Sequence, residues 1–306
     1  MLSRKTKLIL MKIFSFFSVI RGYNIFVIVV AQYLASIFIL APEKRALDVL
    51  LDPQLFLIIF CSTLAIASGY IINNFYDKEK DLINRPKKTM LDRLVSQKTK
   101  LRVYFFLNFV SVCLVTVVSL HAGLFFSFYI FLLWFYSHKL KRYPIIGNLT
   151  ASFLVILPFF GILMYFQNYY EAIFLHALFL YLIVLIREIV KDMENIKGDL
   201  ANGYQTFPVR FGENTAKRVI TYLVILTVIP VYFLIEEHHV GYMSIYFYFS
   251  LIILLFFTFK LWKSQTIFQY HQLHISLKLL ILLGVFSIVL INPSVVINGK
   301  QLFNGL

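Results

Sequence analysis

The chain has 306 residues, of which 60% are hydrophobic and 14% are charged. Soluble domains contain about 45–50% apolar and about 25% charged residues, so this composition excludes a soluble globular enzyme as well as a disordered protein. The formal net charge is +14, from 29 Lys and Arg against 15 Asp and Glu. In a soluble protein this excess would suggest nucleic-acid binding, whereas in a membrane protein it can record which loops face the cytoplasm.

The N-terminal segment, residues 1–22, is predicted to be a basic helix at the membrane interface. A signal peptide would have an unbroken apolar core and a small-residue cleavage site, but Lys12 interrupts the apolar stretch and no such site follows. We treat residues 23–306 as a single transmembrane domain. Cys61 and Cys113 lie in apolar runs and are interpreted as packing residues.

Nine apolar segments of spanning length follow one another along this domain. Runs such as LIILLFFTF do not alternate with period two, so the segments are predicted to be helices rather than barrel strands. They cover residues 23–41, 55–75, 103–120, 124–137, 145–166, 172–186, 219–235, 243–259 and 275–291. The predicted fold class is therefore all-α, a multi-pass membrane protein with about nine transmembrane helices.

The basic residues indicate how these helices are oriented. All of the 29 Lys and Arg except Lys44, Arg45 and Lys300 lie before the first segment, in the loops after even-numbered segments, or in the first turn that follows such a loop. By the positive-inside rule, the N-terminus and these loops face the cytoplasm. We therefore expect a protein of the cytoplasmic (inner) membrane with its C-terminus outside.

Acidic residues on the basic side are confined to two loops, and the first, residues 73–86, reads NNFYDKEKDLINRP. Asn73, Asp77 and Asp81 are spaced four apart, which places them on one face of a helix that Pro86 bounds. Asn73 still belongs to an apolar run, where a polar side chain is costly without a role. Three oxygen-bearing side chains at the mouth of a membrane helix suit Mg²⁺, although a solvated helix end is the alternative.

The second cluster, residues 187–199, reads REIVKDMENIKGD and follows another span on the same side. Asp192, Asn195 and Asp199 are spaced three and four apart and again share a helical face. Two such faces opposite each other would hold Mg²⁺ and, through it, a diphosphate. The basic residues flanking the clusters are predicted to hold the remaining phosphate oxygens; they are Arg85, Lys139, Lys141, Arg187 and Lys191.

At this point the residues resemble a known family. Residues 73–81 are similar to the N-D-x-x-D-x-x-x-D motif of the UbiA superfamily of intramembrane prenyltransferases, and Asp192, Asn195 and Asp199 resemble its second motif, D-x-x-D-x-x-x-D. Asn74 and Asn195 stand where that family usually has Asp. The resemblance implies nine helices around a central cavity, with Mg²⁺ as cofactor and an isoprenyl diphosphate as substrate.

Further matches extend this resemblance. Asn24 lies in an R-x-x-N sequence at the start of the first helix, and Tyr136 precedes the family's link between helices four and five. The second cluster, with TFPVRFG after it, most resembles the branch that transfers geranylgeranyl to geranylgeranylglycerol phosphate. The resemblance implies that Asn73, Asp77, Asp81, Asp192, Asn195 and Asp199 organise Mg²⁺. It also implies that Asp77, Asp81, Asp192 and Asp199 serve catalysis, and that Asn24 and Tyr136 contact substrate.

Three alternatives stay open at this stage. The acceptor could be an aromatic ring of quinone biosynthesis, the protein could be a membrane transporter, or it could be a lipid-binding scaffold without catalysis. The polar groups are concentrated at one side of the membrane, which favours a reaction site over the path through the membrane that a transporter would need. His271 and His274 are interpreted as interfacial polar residues. No nucleic acid and no obligatory protein partner are expected.

Overall fold

The computed structural model describes residues 4–238 and 240–297, and the structural statements below refer to these ranges. Their regular structure is helical. The α-helices are α1 Arg4–Val19, α2 Gly22–Ala35, α3 Ala46–Leu50, α4 Pro53–Tyr76, α5 Lys78–Asn84, α6 Pro86–Asp92, α7 Gln97–Val118, α8 Leu120–His138, α9 Ile146–Phe166, α10 Glu171–Ala201, α11 Phe207–Phe211, α12 Glu213–Leu226, α13 Val228–Glu236, α14 Ser244–Lys263, α15 Ile267–Ser287 and α16 Ser294–Ile297.

Nine helical stretches of the described residues are long and apolar enough to cross a membrane, which confirms the predicted number. They are Gly22–Leu40, Pro53–Tyr76, Gln97–Val118, Leu120–Arg142, Ile146–Phe166, Glu171–Ala201, Glu213–Glu236, Gly241–Lys263 and Ile267–Ile291. The chain is therefore an integral membrane protein. The predicted orientation remains a prediction, and its expected C-terminal end lies outside the described residues.

The predicted ends of two spans are wrong. The sixth was expected to stop at residue 186, but α10 continues without a break to Ala201. The ninth was expected to start at residue 275, but α15 starts at Ile267, because Thr266 and Gln269 form a capping box there. Lys278 consequently lies well inside this helix rather than in its first turn.

Helix α10 is the central element of the bundle and carries the second acidic cluster. It packs against α9 on one side and α15 on the other. Its 31 residues span about 46 Å, well beyond the roughly 30 Å of a hydrocarbon core. Residues 172–186 contain no Asp, Glu, Lys or Arg, whereas residues 187–201 carry the motif. The second motif is therefore held on a helix instead of a loop.

Local sequence explains how α4 leads into the first cluster. Asp52 caps α4 by accepting hydrogen bonds from the backbone of Gln54 and Leu55, and Pro53 occupies the first helical position. The helix breaks at Asp77, α5 follows, and Pro86 starts α6. Pro86 thus ends the helical stretch as predicted, since proline disfavours a helical conformation in the residue before it.

The N-terminal helix α1 lies against α6. Ser15 Oγ donates to the Leu91 carbonyl at 2.8 Å, and Ser18 Oγ donates to Asp92 Oδ1 at 3.0 Å. Phe14 and Phe17 of α1 are exposed. The interfacial position of residues 1–22 and the division of the chain at residue 22 remain predictions.

An apolar cavity lies inside the bundle, between α2, α9, α10, α14 and α15. Its lining includes Ala31, Ala35, Phe159, Ile183, Phe247 and Gly284. Ile183, one turn before Arg187, is the lining residue of α10 nearest to the end of the bundle that carries the acidic clusters. We call this end the motif end.

Candidate active site

The first motif keeps its predicted face although the helix breaks within it. Asp77 donates its backbone N–H to the Asn73 carbonyl at 2.9 Å, and Asp81 donates to the Asp77 carbonyl at 2.8 Å. These bonds preserve the four-residue spacing from α4 through α5. Asn73, Asp77 and Asp81 therefore follow one another along one face, as the sequence predicted.

The second motif faces the first because α5 packs directly on α10. Gly198 donates its backbone N–H to Asn84 Oδ1 at 3.1 Å, and a Cβ at this glycine would lie only 2.6 Å from Asn84 Cγ. Glycine is needed here for this close approach. The ion pair between Lys80 of α5 and Asp199 of α10 also joins the two motifs. The structure thus brings both polar clusters together at the motif end.

Two lysines neutralise part of this acidic cluster. Lys141, in the turn after α8, places Nζ 2.6 Å from Asp77 Oδ1 and 3.2 Å from Asn73 Oδ1. Burial raises the pKa of Asp77, but the ammonium groups of Lys141 and Lys80 outweigh it and hold that pKa below its ordinary value. Burial lowers the pKa of Lys80, but the carboxylates of Asp199 and Asp77 outweigh it and raise that pKa.

The remaining acids are arranged differently. Asn148 of α9 donates Nδ2 to Asp192 Oδ2 at 2.7 Å, and Thr206 Oγ1 donates to Asp199 Oδ2 at 3.0 Å. The side chain of Asp81 makes no hydrogen bond or ion pair with the described residues. Burial and the neighbouring Asp77 carboxylate raise the pKa of Asp81. Asp81 is therefore a carboxylate that a ligand can stabilise.

The charge and chemistry of this cluster fit a divalent cation. Among the described residues, two of the four carboxylates form ion pairs with lysines, and Asp81 and Asp192 do not; the four are Asp77, Asp81, Asp192 and Asp199. Asn73 and Asn195 add amide oxygens nearby. Carboxylate and carbonyl oxygens are the ligands of Mg²⁺, so the residues present suit this ion.

The two asparagines that depart from the family motif have different surroundings. Asn74 lies off the acidic face: its Nδ2 donates to Asp92 Oδ2 at 3.0 Å, and its Oδ1 accepts from Lys100 Nζ at 2.7 Å. Asn195 lies on the acidic face and donates Nδ2 to the Lys191 carbonyl at 2.6 Å. Because Asn195 stands where the family usually has Asp, it makes the cluster less negative by one charge. Asn74 instead belongs to a separate buried network with Asp92 and Lys100.

The predicted phosphate-binding cations lie near the cluster, with one exception. Arg187 and Lys191 both contact Glu188, at 2.7 and 2.6 Å, and Arg85 contacts Glu194 Oε1 at 3.3 Å. The exception is Lys139, which is exposed at the end of α8 and whose side chain makes no hydrogen bond or ion pair with the described residues.

The predicted cavity residues Asn24 and Tyr136 are not among those that line the apolar cavity, and both lie on the half of their helices toward the motif end. Asn24 Nδ2 lies 3.5 Å from the Tyr70 hydroxyl, and the Arg21 guanidinium lies 5.1 Å from the centre of the same ring. Tyr70 is one turn before Asn73 on α4. Tyr136 is partly buried and packs against the hydrophobic core of the bundle.

Sequence reasoning missed the residues that hold the motif residues in place. Asn148 and Lys80 act across helices, and one sequence does not give the register between helices. The interpretation of His271 and His274 as interfacial polar residues stays a prediction, but it did not include their shared partner: both contact Glu194 through Nδ1, at 3.0 and 2.6 Å. Their three-residue spacing was the available signal, since it places both on one face of α15.

The chain is similar to known proteins over most of its length. Residues 29–272 match the UbiA prenyltransferase family. The chain is similar to the digeranylgeranylglyceryl phosphate synthase of Thermococcus kodakarensis, at 30% identity over 234 residues, which cover 76% of this chain and 82% of that protein.

Two solved structures share the fold. One concerns a digeranylgeranylglyceryl phosphate synthase and matches with a TM-score of 0.70 at 22% identity, covering 92% of this chain and 98% of that chain. The other is a UbiA homolog from Archaeoglobus fulgidus bound to GPP and Mg²⁺, with a TM-score of 0.65 at 15% identity, covering 90% and 99%. The predicted UbiA-like fold is confirmed, and the chain belongs to the UbiA prenyltransferase family.

Proposed function

We propose that this prenyltransferase transfers geranylgeranyl from geranylgeranyl diphosphate to geranylgeranylglyceryl phosphate, forming an ether lipid. The observation that carries the proposal is the meeting of two acidic motifs at one end of a helical bundle that also encloses an apolar cavity. The cavity suits an isoprenoid tail, and the motif end suits its diphosphate. The relatives named digeranylgeranylglyceryl phosphate synthase support this acceptor.

In this proposal Mg²⁺ is held by carboxylates of both motifs, with the amide oxygens of Asn73 and Asn195 beside them. When bound, the ion offsets the charge of the diphosphate and makes it a better leaving group. The Mg²⁺ bound to a homolog of the same fold supports this choice. The acids that would hold it are Asp77, Asp81, Asp192 and Asp199.

The chain's own residues then orient and stabilise the reactants. Lys141 and Lys80 place ammonium groups at the acidic cluster, where negative charge grows on the leaving diphosphate. Arg85, Arg187 and Lys191 lie beside the cluster, where they are suited to phosphate oxygens that the ion leaves free. The apolar cavity excludes water from the tail.

The loops at the motif end are proposed to face the cytoplasm, because nearly all basic residues lie on that side. Both substrates then approach from the same leaflet of the membrane. The substrates are an isoprenyl diphosphate and a lipid acceptor, with no nucleic acid and no obligatory protein partner.

The test uses purified protein in detergent or nanodiscs with labelled geranylgeranyl diphosphate and Mg²⁺. We expect transfer to geranylgeranylglyceryl phosphate and not to 4-hydroxybenzoate. Asp77→Asn and Asp199→Asn should each lower the rate by about 10²-fold, the scale of losing one preorganised electrostatic group. The matched control is Asp48→Asn, because Asp48 is exposed and pairs only locally with Arg45 within the described residues.

Transfer that occurs only to the aromatic acid would show that the acceptor is wrong while the family assignment stands. Full activity of Asp77→Asn and Asp199→Asn would show that the two motifs do not form the reaction site. Donor binding without transfer to any acceptor would indicate a lipid-binding scaffold.

A further inference from the structure

A stripe of basic and imidazole side chains on α15 faces the second motif helix. His271, His274 and Lys278 are spaced three and four apart and so share one face. Both imidazoles contact Glu194 of α10: His271 Nδ1 lies 3.0 Å from Oε1, and His274 Nδ1 lies 2.6 Å from Oε2. Arg85 Nη2 lies 3.3 Å from the same Oε1 that contacts His271.

This arrangement connects His271 to the reaction site. Arg85 follows Asp81 by one helical turn at the end of α5, and its guanidinium acts electrostatically on the Asp81 carboxylate of the first motif. Glu194 lies between Asp192 and Asn195 in sequence, but about 130° around α10 from the face that they share. His271 is therefore linked to the acidic cluster through Glu194 and Arg85.

The contact with Glu194 fixes which nitrogen of His271 can accept a proton. A carboxylate only accepts hydrogen bonds, so Nδ1 carries the hydrogen and Nε2 presents its lone pair. The side chain of His271 is 47% exposed, whereas that of His274 is 6% exposed. His271 thus offers an accessible base, and Glu194 orients it, which is the pattern of a general base with its orienting carboxylate.

The proposed reaction needs such a group. An ether bond formed from a hydroxyl releases one proton, and three of the four carboxylates of the cluster already have partners. The fourth, Asp81, is a proposed ligand of the metal ion. Asp77 is paired with Lys141, Asp199 with Lys80, and Asp192 accepts from Asn148. These carboxylates are also the proposed ligands of the metal ion, which requires them to be deprotonated.

We propose that His271 is the general base of the transfer, with Glu194 as its positioning residue. In this step the bond between C1 of the donor and its diphosphate breaks, and the electron pair leaves on the diphosphate. The acceptor hydroxyl oxygen bonds to C1, and its proton passes to His271 Nε2. This inference rests on the proposed function, because it requires an acceptor that loses a proton.

The test compares His271→Gln and His271→Ala with the wild type. General-base catalysis contributes about 10²–10⁴-fold, so we expect His271→Gln to lower kcat by at least about 10²-fold. The dissociation constant of the donor with Mg²⁺ should stay within about twofold. Added imidazole should restore the rate of His271→Ala by at least tenfold. His121→Gln, in the first turn of α8 at the opposite end, is the matched control.

Three results would overturn the inference. A His271→Gln rate within threefold of the wild type would show that another group, such as the leaving diphosphate, takes the proton. Loss of donor binding in parallel with the rate would show that His271 acts only through Glu194 and Arg85. Failure of imidazole to restore His271→Ala, in protein that still binds donor, would exclude a proton-transfer role.

The two proposals fail separately. If the wild type prenylates only an aromatic acceptor, the proposed function is wrong. Alkylation of a ring carbon also releases one proton, so the same variants are then compared on that acceptor, and the role of His271 is decided there.

Discussion

The substitution Asn74→Asp restores the family's usual acid in the first motif, and the structure predicts that it does not strengthen the metal site. Asn74 lies off the acidic face, between Asp92 and Lys100. It uses both halves of its amide there, since Nδ2 donates to Asp92 and Oδ1 accepts from Lys100. A carboxylate can replace only the accepting half.

The expected cost follows from these distances. The carboxylate introduced by Asn74→Asp would meet the buried Asp92 carboxylate at the 3.0 Å that now separates Nδ2 from Oδ2. At an effective dielectric constant of about 20, this repulsion is about 5 kcal/mol, which the buried Lys100 ammonium offsets by a comparable amount. The net loss of stability is then that of the hydrogen bond to the charged Asp92, about 1.5–3 kcal/mol.

The assay measures thermal unfolding and the Mg²⁺ dependence of donor binding in the same protein preparation. We expect Asn74→Asp to lower the thermal midpoint by several degrees and to leave the Mg²⁺ dependence within about twofold. Asn195→Asp is the contrasting variant, because Asn195 lies on the acidic face and an added carboxylate there should tighten Mg²⁺ binding. Tighter Mg²⁺ binding by Asn74→Asp, with unchanged stability, would refute the placement of Asn74 outside the metal site.

Three further predictions concern the cluster itself. Lys141→Met should lower stability by about 3–5 kcal/mol, because it leaves the buried Asp77 unpaired; thermal unfolding checks this. The pKa of Asp77 is lower in the folded protein than the unfolded value of about 3.9. The Asp77–Lys141 pair therefore contributes its full stability to the folded protein at pH values above about 3.9. The midpoint difference between wild type and Lys141→Met should therefore shrink as the pH falls through the lower folded-state pKa, and a constant difference would contradict the pairing. Asn148→Ala should weaken Mg²⁺-dependent donor binding several-fold by freeing Asp192, measured by titration, whereas unchanged binding would remove Asp192 from the metal site.

The sequence was sufficient for the features that depend on composition and spacing. Apolar runs and the distribution of Lys and Arg predicted nine spans, and four-residue spacing predicted the shared face of Asn73, Asp77 and Asp81. The predicted end of the sixth span and the predicted start of the ninth were wrong, because hydropathy detects the apolar part of a helix and not its polar continuation. Helix α10 continues through charged residues because their side chains are paired along it and with neighbouring helices.

Contacts between helices could not be predicted in the same way. The pairing of Lys80 with Asp199, and of Glu194 with His271, depends on how α5, α10 and α15 lie against one another. That register is set by packing of side chains over the whole interface, which a single sequence does not reveal. The sequence alone therefore does not connect His271 and His274 with Glu194, because that contact depends on the packing of α15 against α10.

The length of α10 has a consequence for how a lipid substrate is loaded. Its apolar residues, 172–186, rise about 22 Å, and its charged residues, 187–201, rise about as much again beyond them. An amphiphile held inside the bundle beside α10 would meet apolar surface at the depth of its chain and polar side chains at the depth of its headgroup. Its charged head would never have to enter hydrocarbon, where an isolated ion costs tens of kcal/mol. The helix thus reproduces the polarity profile of one leaflet, and a lipid can change its surroundings from bilayer to protein without changing its orientation.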